Sequence, residues 1–344
     1  MKPDVVLSVR PLPSGVQPWP SVDPFLFCVH HSDAYPKGNA VLGPASSLAG
    51  RDLGMDFAGK DGWRMYHGDV VPGFPRHPHR GFETITLVRR GFIDHSDSLG
   101  AKARFGNGDV QWMTAGKGIQ HAEMFPLLRP DAVNPVELFQ IWLNLPAKSK
   151  MVAPHFSMMW NESIPRVHHL DSNGCATDVV IVAGRYQQSK ALPPPPHSWA
   201  NHSESDLGIF TLRMDPHARF TLPPALEGTL RSLFFFRGSA LHVADAGAPP
   251  SSLVLLEGDA EVLLENGPDE AELLLLQGRP IGETVVQQGP FVMNTAAEIR
   301  QAFADYQRTQ FGHWPWRGPD PVHPRDAGRF AQHVDGHMEK PAAT

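Results

Sequence analysis

Glycine and proline interrupt the apolar segments of this chain at short intervals. The 344 residues include 31 glycines and 34 prolines, and apolar runs such as Glu83–Val88 and Leu138–Leu145 are only six and eight residues long. Runs of this length that alternate or are rich in β-branched residues are typical of strands. Glycine and proline together stay below the roughly 25–30% that marks a disordered low-complexity chain. The sequence therefore predicts a folded, all-β protein of short strands and turns.

A second strand-rich block follows the first. Asp178–Ala183 predicts a strand, and the prolines at 193–196 then form a connector, because proline cannot continue a central strand. Six later runs also predict strands: Gly208–Met214, Arg231–Phe236, Ala240–Val243, Ser252–Leu256, Glu261–Leu264 and Glu272–Leu276. Two β blocks of similar length indicate a duplicated fold.

One segment near the end of the chain has a helical pattern. Thr295 followed by Glu298 forms a capping box, and Ile299, Phe303 and Tyr306 share one face. We therefore predict a helix over 295–310. Beyond it the chain becomes rich in proline, histidine and arginine, which favours a loosely ordered polar tail.

Charge and cysteine content exclude several classes of protein. The formal charge is -6, with 30 basic and 36 acidic residues, so the basic excess of a dedicated nucleic-acid binder is missing. The first residues lack the apolar core of a signal peptide, and no run is long enough for a membrane span. Cys28 and Cys175 form no CxxC motif, which argues against a disulfide scaffold and a thiolate zinc site. We expect a cytoplasmic protein that binds neither nucleic acid nor membrane.

Two short motifs stand out among the 18 histidines. His77 and His79 are two residues apart, which places both imidazoles on one face of a strand. His121 and Glu123 place an imidazole and a carboxylate on one face of another strand by the same logic. Ligands of these types suit iron, manganese, cobalt, nickel, copper or zinc, and four of them leave open positions on a six-coordinate ion. The alternative is a set of hydrogen-bonded strand histidines, because about one such histidine pair is expected by chance.

Four segments together resemble the pirin family of the cupin superfamily: HPHRGFETITLVRRG, GDVQWMTAGKGIQHAEMFP, LFQIWLNLPAKSKMVAPHF and GPFVMNTAAEI. The resemblance runs from about Gly73 to Tyr306. It implies a bicupin fold of two stacked antiparallel jelly-roll β-barrels with a short C-terminal helix. It also implies one metal ion in the first barrel, with Fe²⁺ as the expected metal, held by His77, His79, His121 and Glu123.

The resemblance also suggests how the chain is divided. We predict N-terminal loops and strands over 1–60, a metal-binding barrel over 61–183, a metal-free barrel with the helix over 184–312, and a polar tail over 313–344. The second barrel is expected to lack metal because His217 and His242 are the only histidines between Gly208 and Leu276 and form no paired motif. Glu83 takes the position of the usual cupin carboxylate, but in pirins Glu123 replaces it, so Glu83 is interpreted as a structural hydrogen-bond partner.

Two further sets of residues are candidates for binding. An apolar pocket for a flat aromatic ligand could lie beside the metal, although core packing is the stronger explanation for any one of its residues: Phe74, Trp112, Met124, Gln140 and Trp142. Between positions 76 and 129 basic residues outnumber acidic ones, which is typical of a solvated face but could receive an anionic partner: Arg76, Arg80, Arg89, Arg90, Lys102, Arg104, Lys117 and Arg129.

The resemblance implies two classes of function. Microbial pirins with these motifs act as quercetin 2,3-dioxygenases, which open flavonols with O₂. For that activity Glu123 is the expected catalytic base as well as a ligand, and the partners are O₂ and a flavonol-like aromatic molecule. Other pirins are iron-dependent redox-sensing regulators that bind a transcription factor or a metabolic enzyme. We favour the dioxygenase and keep the regulator as the alternative.

Overall fold

The computed structural model describes residues 5–342. The first strands of this part are β1 (Val6–Pro11), β2 (Phe25–Tyr35), β3 (Gly73–His79), β4 (Phe82–Arg90), β5 (Phe92–Asp97), β6 (Lys102–Gly106), β7 (Val110–Thr114), β8 (Ile119–Met124), β9 (Asn134–Asn144) and β10 (His155–Met159). Short 3₁₀ helices lie at Lys60–Gly62 and Ala147–Ser149.

The later strands are β11 (Arg166–Leu170), β12 (Ala176–Ala183), β13 (Arg185–Tyr186), β14 (Ser189–Lys190), β15 (Gly208–Met214), β16 (Arg219–Leu222), β17 (Leu230–Arg237), β18 (Leu241–Val243), β19 (Ala246–Ala248), β20 (Ser252–Leu256), β21 (Val262–Asn266), β22 (Ala271–Gly278), β23 (Val286–Gln288), β24 (Phe291–Met293), β25 (Phe330–Gln332) and β26 (Met338–Glu339). Two more 3₁₀ helices lie at Trp199–Asn201 and Ser203–Ser205, and helix α1 spans Ala296–Thr309. All the strands predicted from the sequence are present, and the all-β class is confirmed. No helix in residues 5–342 has the length and apolar character needed to cross a membrane.

The chain divides into two compact units. One contains the chain up to Cys28 together with Ser163–Gly282, and we call it the first unit. The second unit contains Val29–Glu162 together with the chain from Glu283 onward. These divisions differ from the predicted ranges: the helix and the C-terminal segment belong to the unit that contains His77, not to the other barrel or to a separate tail.

The first unit is built from two antiparallel sheets. Its seven-stranded sheet has the order β1-β20-β17-β22-β15-β12-β11, and its four-stranded sheet has the order β16-β21-β18-β19. Leu233 and Leu275 of the larger sheet belong to the same buried apolar cluster as Phe220 and Leu264 of the smaller one. The two sheets therefore face each other across one core, with alternate side chains of each strand pointing inward.

The second unit also contains two large sheets. One has the order β10-β7-β4-β9-β2 and the other has the order β26-β25-β6-β5-β8-β3. The strand orders in both units have free ends, so each unit consists of separate sheets that do not close into one continuous barrel, in agreement with the double-sheet cupin fold that was predicted. In the second unit β3 and β8 are neighbours, which brings distant parts of the sequence together.

Gly73 begins β3 in a backbone conformation that favours glycine. Its φ is +132°, and a Cβ there would lie 2.5 Å from the carbonyl oxygen of Glu123 on β8. Only glycine permits this close approach without displacing one of the two strands.

Helix α1 forms where the sequence predicts it. The Thr295 side chain accepts a hydrogen bond from the Glu298 N–H at 3.2 Å, which satisfies one of the free N–H groups of the first turn. Ile299 packs with Phe291 and Met293 of β24 in a buried apolar cluster. The N-cap and the apolar face predicted from the sequence are therefore both used, while the Glu298 carboxylate accepts a hydrogen bond from the Asn294 N–H instead of the Thr295 N–H of a full capping box.

The C-terminal segment is ordered, and its prediction as a loose polar tail is wrong. In its described part, β25 pairs with β6, and β26 pairs with β25. His323 is buried, and its backbone N–H donates a hydrogen bond to Asp94 Oδ2 at 2.8 Å. Proline- and charge-rich composition suggests disorder, but here the backbone carbonyls of this segment satisfy a buried arginine, Arg104.

Candidate metal centre

Strands β3 and β8 place three histidines together in the second unit. His77 lies directly opposite His121 in the antiparallel pair. His77 and His79 are two residues apart, so the alternation of the strand puts both side chains on the same face. The ring centroids are 4.4 Å apart for His77 and His121, 4.8 Å for His77 and His79, and 4.9 Å for His79 and His121. One ring nitrogen from each residue lies within 4.8 Å of the other two.

The hydrogen bonds of these imidazoles leave nitrogen atoms free for a ligand. His77 Nδ1 pairs with the Pro75 carbonyl at 2.8 Å, so Nδ1 carries the proton and Nε2 carries the lone pair. His79 Nδ1 and both ring nitrogens of His121 are buried and have no hydrogen-bond partner among residues 5–342. Buried polar atoms without partners are rare in folded proteins, and a bound metal ion is one explanation for them. The donor set therefore fits a metal ion.

Burial keeps the three imidazoles neutral. Loss of solvation lowers the pKa of His77 to about 4, and it lowers the pKa of His79 and His121 well below the usual value. The cause is that a charged imidazolium is poorly solvated inside the protein, and the neighbouring histidines add repulsion. Neutral imidazoles are the form that binds metal ions.

Glu123 lies beside this cluster. Its Oε2 is 4.0 Å from His121 Nε2, while its Oε1 accepts a hydrogen bond from Thr86 Oγ1 at 2.8 Å. Gln140 Nε2 donates to Glu123 Oε2 at 3.3 Å. Burial raises the pKa of Glu123, and these two hydrogen bonds oppose the rise. The structure thus places Glu123 next to the imidazoles, and its role as a fourth ligand stays a prediction.

Thr86 connects Glu123 with Gln140. The Thr86 hydroxyl is 2.8 Å from Glu123 Oε1 and 2.7 Å from Gln140 Oε1. A hydroxyl has one proton, so it can donate to only one of these oxygens at a time. A proton on Glu123 would let that carboxyl group donate to Thr86 while Thr86 donates to Gln140. When Glu123 is protonated, each proton in this chain of three side chains therefore has a hydrogen-bond acceptor.

Glu83 has a structural role in β4. It is buried, and its Oε1 accepts a hydrogen bond from Thr114 Oγ1 at 2.6 Å. Glu83 and Thr86 are three residues apart on β4, so the strand alternation points them to opposite faces. This placement agrees with the interpretation of Glu83 as a hydrogen-bond partner.

His95 is a site residue that the sequence analysis missed. It lies on β5 directly opposite Glu123, and its ring centroid is 5.5 Å from that of His121. Its Nε2 is 3.3 Å from Asp97 Oδ2, while its buried Nδ1 has no partner in the described part of the chain. The signal was present in the sequence, because His95 and Asp97 have the same two-residue spacing as His121 and Glu123.

The five predicted pocket residues fall into two groups. Trp142 lies 5.3 Å from His79 between ring centroids, Phe74 lies 6.4 Å from His77, and Gln140 contacts Glu123. These three side chains are half-buried, as is His77, so this side of the site is partly exposed. The remaining two residues, Trp112 and Met124, are fully buried and belong to the core.

The two histidines that the sequence analysis assigned to the metal-free barrel lie in the first unit. His217 and His242 of the first unit are both exposed. Within residues 5–342, the three imidazoles on β3 and β8 are the one group of three or more potential ligands that could hold a metal ion.

Two units of facing β-sheets, one with inward-pointing histidines, define a two-domain cupin protein. The sequence profile of the pirin family matches residues 10–143, and that of the pirin C-terminal cupin domain matches residues 209–312. This chain belongs to the pirin family.

Named relatives agree with this assignment. The chain is 36% identical over 241 residues to a Pseudomonas aeruginosa protein named "Putative quercetin 2,3-dioxygenase", covering 70% of this chain and 79% of the relative. It is 33% identical over 252 residues to human pirin, covering 72% and 80%. A crystal structure of quercetin 2,3-dioxygenase from Acinetobacter baumannii superposes with a TM-score of 0.70 at 25% identity, covering 90% of this chain and 98% of that one.

Proposed function

We propose that this protein is a quercetinase-type dioxygenase that opens flavonols with O₂ at one metal ion. The ligands in this proposal are His77, His79, His121 and Glu123, and the proposed metal is Fe²⁺. The observation that carries it is the convergence of three neutral imidazoles on β3 and β8, of which His79 and His121 are fully buried and have ring nitrogens without a hydrogen-bond partner. Relatives named quercetin 2,3-dioxygenase support the choice of reaction.

A divalent transition metal bound by these residues would act as a Lewis acid toward the flavonol 3-hydroxyl group and would bring the substrate and O₂ together. The chain's own contribution begins with the neutral imidazoles, which burial keeps in their ligating form at neutral pH.

Glu123 is the proposed base that takes the 3-hydroxyl proton. Its raised pKa brings a carboxylate closer to the operating pH, where a general base is most effective. After the transfer, the protonated carboxyl group of Glu123 can donate a hydrogen bond to the Thr86 hydroxyl, and that hydroxyl can donate a hydrogen bond to Gln140 Oε1. Thr86 thus stabilises the protonated form and holds the carboxyl group in position.

The flat substrate is proposed to lie on the half-exposed side of the site. Phe74 and Trp142 offer aromatic faces beside His77 and His79, and the amide of Gln140 offers a polar contact next to Glu123. A small number of polar groups in an aromatic wall is the usual composition of a site for a planar ligand.

The test combines metal analysis with oxygen uptake on a panel of flavonols. Glu123→Gln should keep much of its metal, since an amide oxygen still coordinates weakly, but should lose roughly 10²–10⁴-fold of the flavonol-dependent oxygen uptake per bound metal. Glu261→Gln, a change at an exposed glutamate of the other unit, is the matched control and should behave as wild type.

One result would replace the proposal with the regulator. Iron-loaded wild-type protein would then show no oxygen uptake with any flavonol. Its affinity for a protein partner would change between Fe²⁺ and Fe³⁺ in a pull-down, because the charge at the site differs by one unit.

A further inference from the structure

The basic residues between positions 76 and 129 do not form one surface patch. Arg80 and Arg104 are buried in ion pairs with Asp305 and Asp94. Arg90 and Arg129 are exposed. Those two, unlike the buried pair, line the same cavity.

This cavity has a volume of about 240 Å³ and lies in the second unit, where the turns after β4 and β6 meet the loop after β8. Its walls combine apolar and polar groups from Arg90, Gly91, Phe92, Asn107, Pro126, Leu128, Arg129, Asn134, Pro135 and Val136. It includes none of the candidate metal ligands, so it is a separate site.

The charges around the cavity are not balanced. The lining residues within the described part of the chain include two arginines and no carboxylate. The nearest acidic partner of Arg90 is Glu137, whose Oε2 lies 3.6 Å from Arg90 Nε. Glu137 Oε1 also lies 2.5 Å from Arg89 Nη1, so one carboxylate faces two arginines. The positive charge that remains favours an anionic ligand.

Two further features define the ligand. The guanidinium group of Arg129 has no hydrogen-bond or ion-pair partner among residues 5–342, and a guanidinium matches the geometry of a carboxylate. Asn107 Oδ1 accepts a hydrogen bond from the Gly91 N–H at 3.0 Å, which leaves the Asn107 amide N–H groups as donors.

The apolar part of the cavity indicates the size and character of the uncharged part of the ligand. Phe92, Pro126, Leu128 and Val136 provide a wall for an apolar body. A volume of about 240 Å³ is just below the roughly 300–1,000 Å³ of sites for drug-sized ligands, so it suits a single ring. We infer that this cavity is a binding site for a small aromatic carboxylate, with Arg90 and Arg129 holding the carboxylate and Phe92 packing against the ring.

The test is isothermal titration calorimetry of the full-length, metal-loaded protein with three probes: benzoate, benzamide and inorganic phosphate. Benzoate should bind, and benzamide, which has the same shape without the charge, should bind at least about tenfold more weakly. Phosphate should bind more weakly than benzoate because it makes no use of the apolar wall.

Variants locate the bound benzoate. Arg90→Ala combined with Arg129→Ala should weaken benzoate binding at least about tenfold, since each change removes a charge-assisted contact. Both side chains are exposed, so the thermal unfolding midpoint should stay near that of wild type. Arg300→Ala, at an exposed arginine of α1, is the matched control and should bind benzoate as wild type does. His121→Ala should also retain benzoate binding.

Several results would overturn the inference. These are equal affinity for benzoate and benzamide, binding of phosphate but not benzoate, and the absence of benzoate binding. Loss of binding in His121→Ala with no change in the double arginine variant would place benzoate at the metal centre instead and would equally refute the site.

Discussion

Replacement of Arg104 by methionine is expected to destabilise the second unit more than any surface change. Arg104 and Asp94 are both fully buried, with Nε and one Nη of the arginine each 2.7 Å from a carboxylate oxygen of Asp94. The other guanidinium N–H groups donate to the carbonyl oxygens of His323 at 2.8 Å, Pro324 at 2.7 Å and Arg325 at 3.3 Å. One guanidinium thus connects β5 to the C-terminal segment.

The expected loss of unfolding free energy follows from the groups that Arg104→Met leaves without a partner. Asp94 would keep the His323 N–H as a donor but would lose its opposite charge while remaining buried. Removal of one partner of a buried ion pair costs about 3–5 kcal/mol, because the other charge is left uncompensated. Replacing both partners, in Arg104→Met combined with Asp94→Leu, should recover part of the loss, since a well-packed apolar pair is often nearly neutral.

The assay is urea unfolding followed by tryptophan fluorescence, together with trypsin cleavage under native conditions. The C-terminal segment contains Arg317, Arg325 and Arg329, and cleavage there should become faster in Arg104→Met as the segment detaches. Lys102→Met, on the same strand β6, is the control and should change the unfolding free energy by less than about 0.5 kcal/mol. A loss below about 1 kcal/mol in Arg104→Met, with unchanged cleavage, would refute this account of the segment.

Three other changes test separate parts of the structure. Gly73→Ala should lower both metal content and thermal stability, because the added Cβ collides with the Glu123 carbonyl and separates β3 from β8; metal content equal to wild type would contradict this. Thr86→Val should retain metal but reduce flavonol-dependent oxygen uptake about tenfold, since Glu123 loses the hydroxyl that holds it in position and accepts from its protonated form, and unchanged uptake per metal would exclude the role given to Thr86. Burial lowers the pKa of Lys150 to about 8, below that of the unfolded chain, so the unfolded state binds the proton more tightly. The unfolding free energy of wild type relative to Lys150→Met should therefore rise by up to about 3 kcal/mol as the pH increases from about 8 to about 10, and a flat difference in urea unfolding would contradict the shift.

Local spacing predicted which side chains share a face, and long-range pairing decided which faces meet. The two-residue spacing of His77 and His79 was enough to place both on one side of a strand. The pairing of β3 with β8, which sets His77 opposite His121, joins segments more than 40 residues apart. Spacing alone does not contain that information, and the resemblance to a family supplied it.

The sequence predictions that the structure corrects failed for physical reasons. His95 belongs to the site because β5 also pairs with β8; the two-residue spacing of His95 and Asp97 marks the pair in the sequence, but it does not show which strand β5 pairs with. The C-terminal segment was predicted as a tail from its composition, but its order depends on backbone carbonyls that composition does not describe. For Trp112 and Met124 the structure agrees with core packing, which was the stronger of the two explanations.

The central claim is that His77, His79, His121 and Glu123 hold one metal ion, and elemental analysis of the purified protein tests it most directly. Wild type is expected to contain about one transition-metal ion per chain, predominantly iron, and His121→Ala should lose most of it because one ligand is removed. His242→Ala, at an exposed histidine of the other unit, should retain the full amount. Full occupancy in His121→Ala, or a stoichiometric loss in His242→Ala, would contradict the assignment of the metal centre.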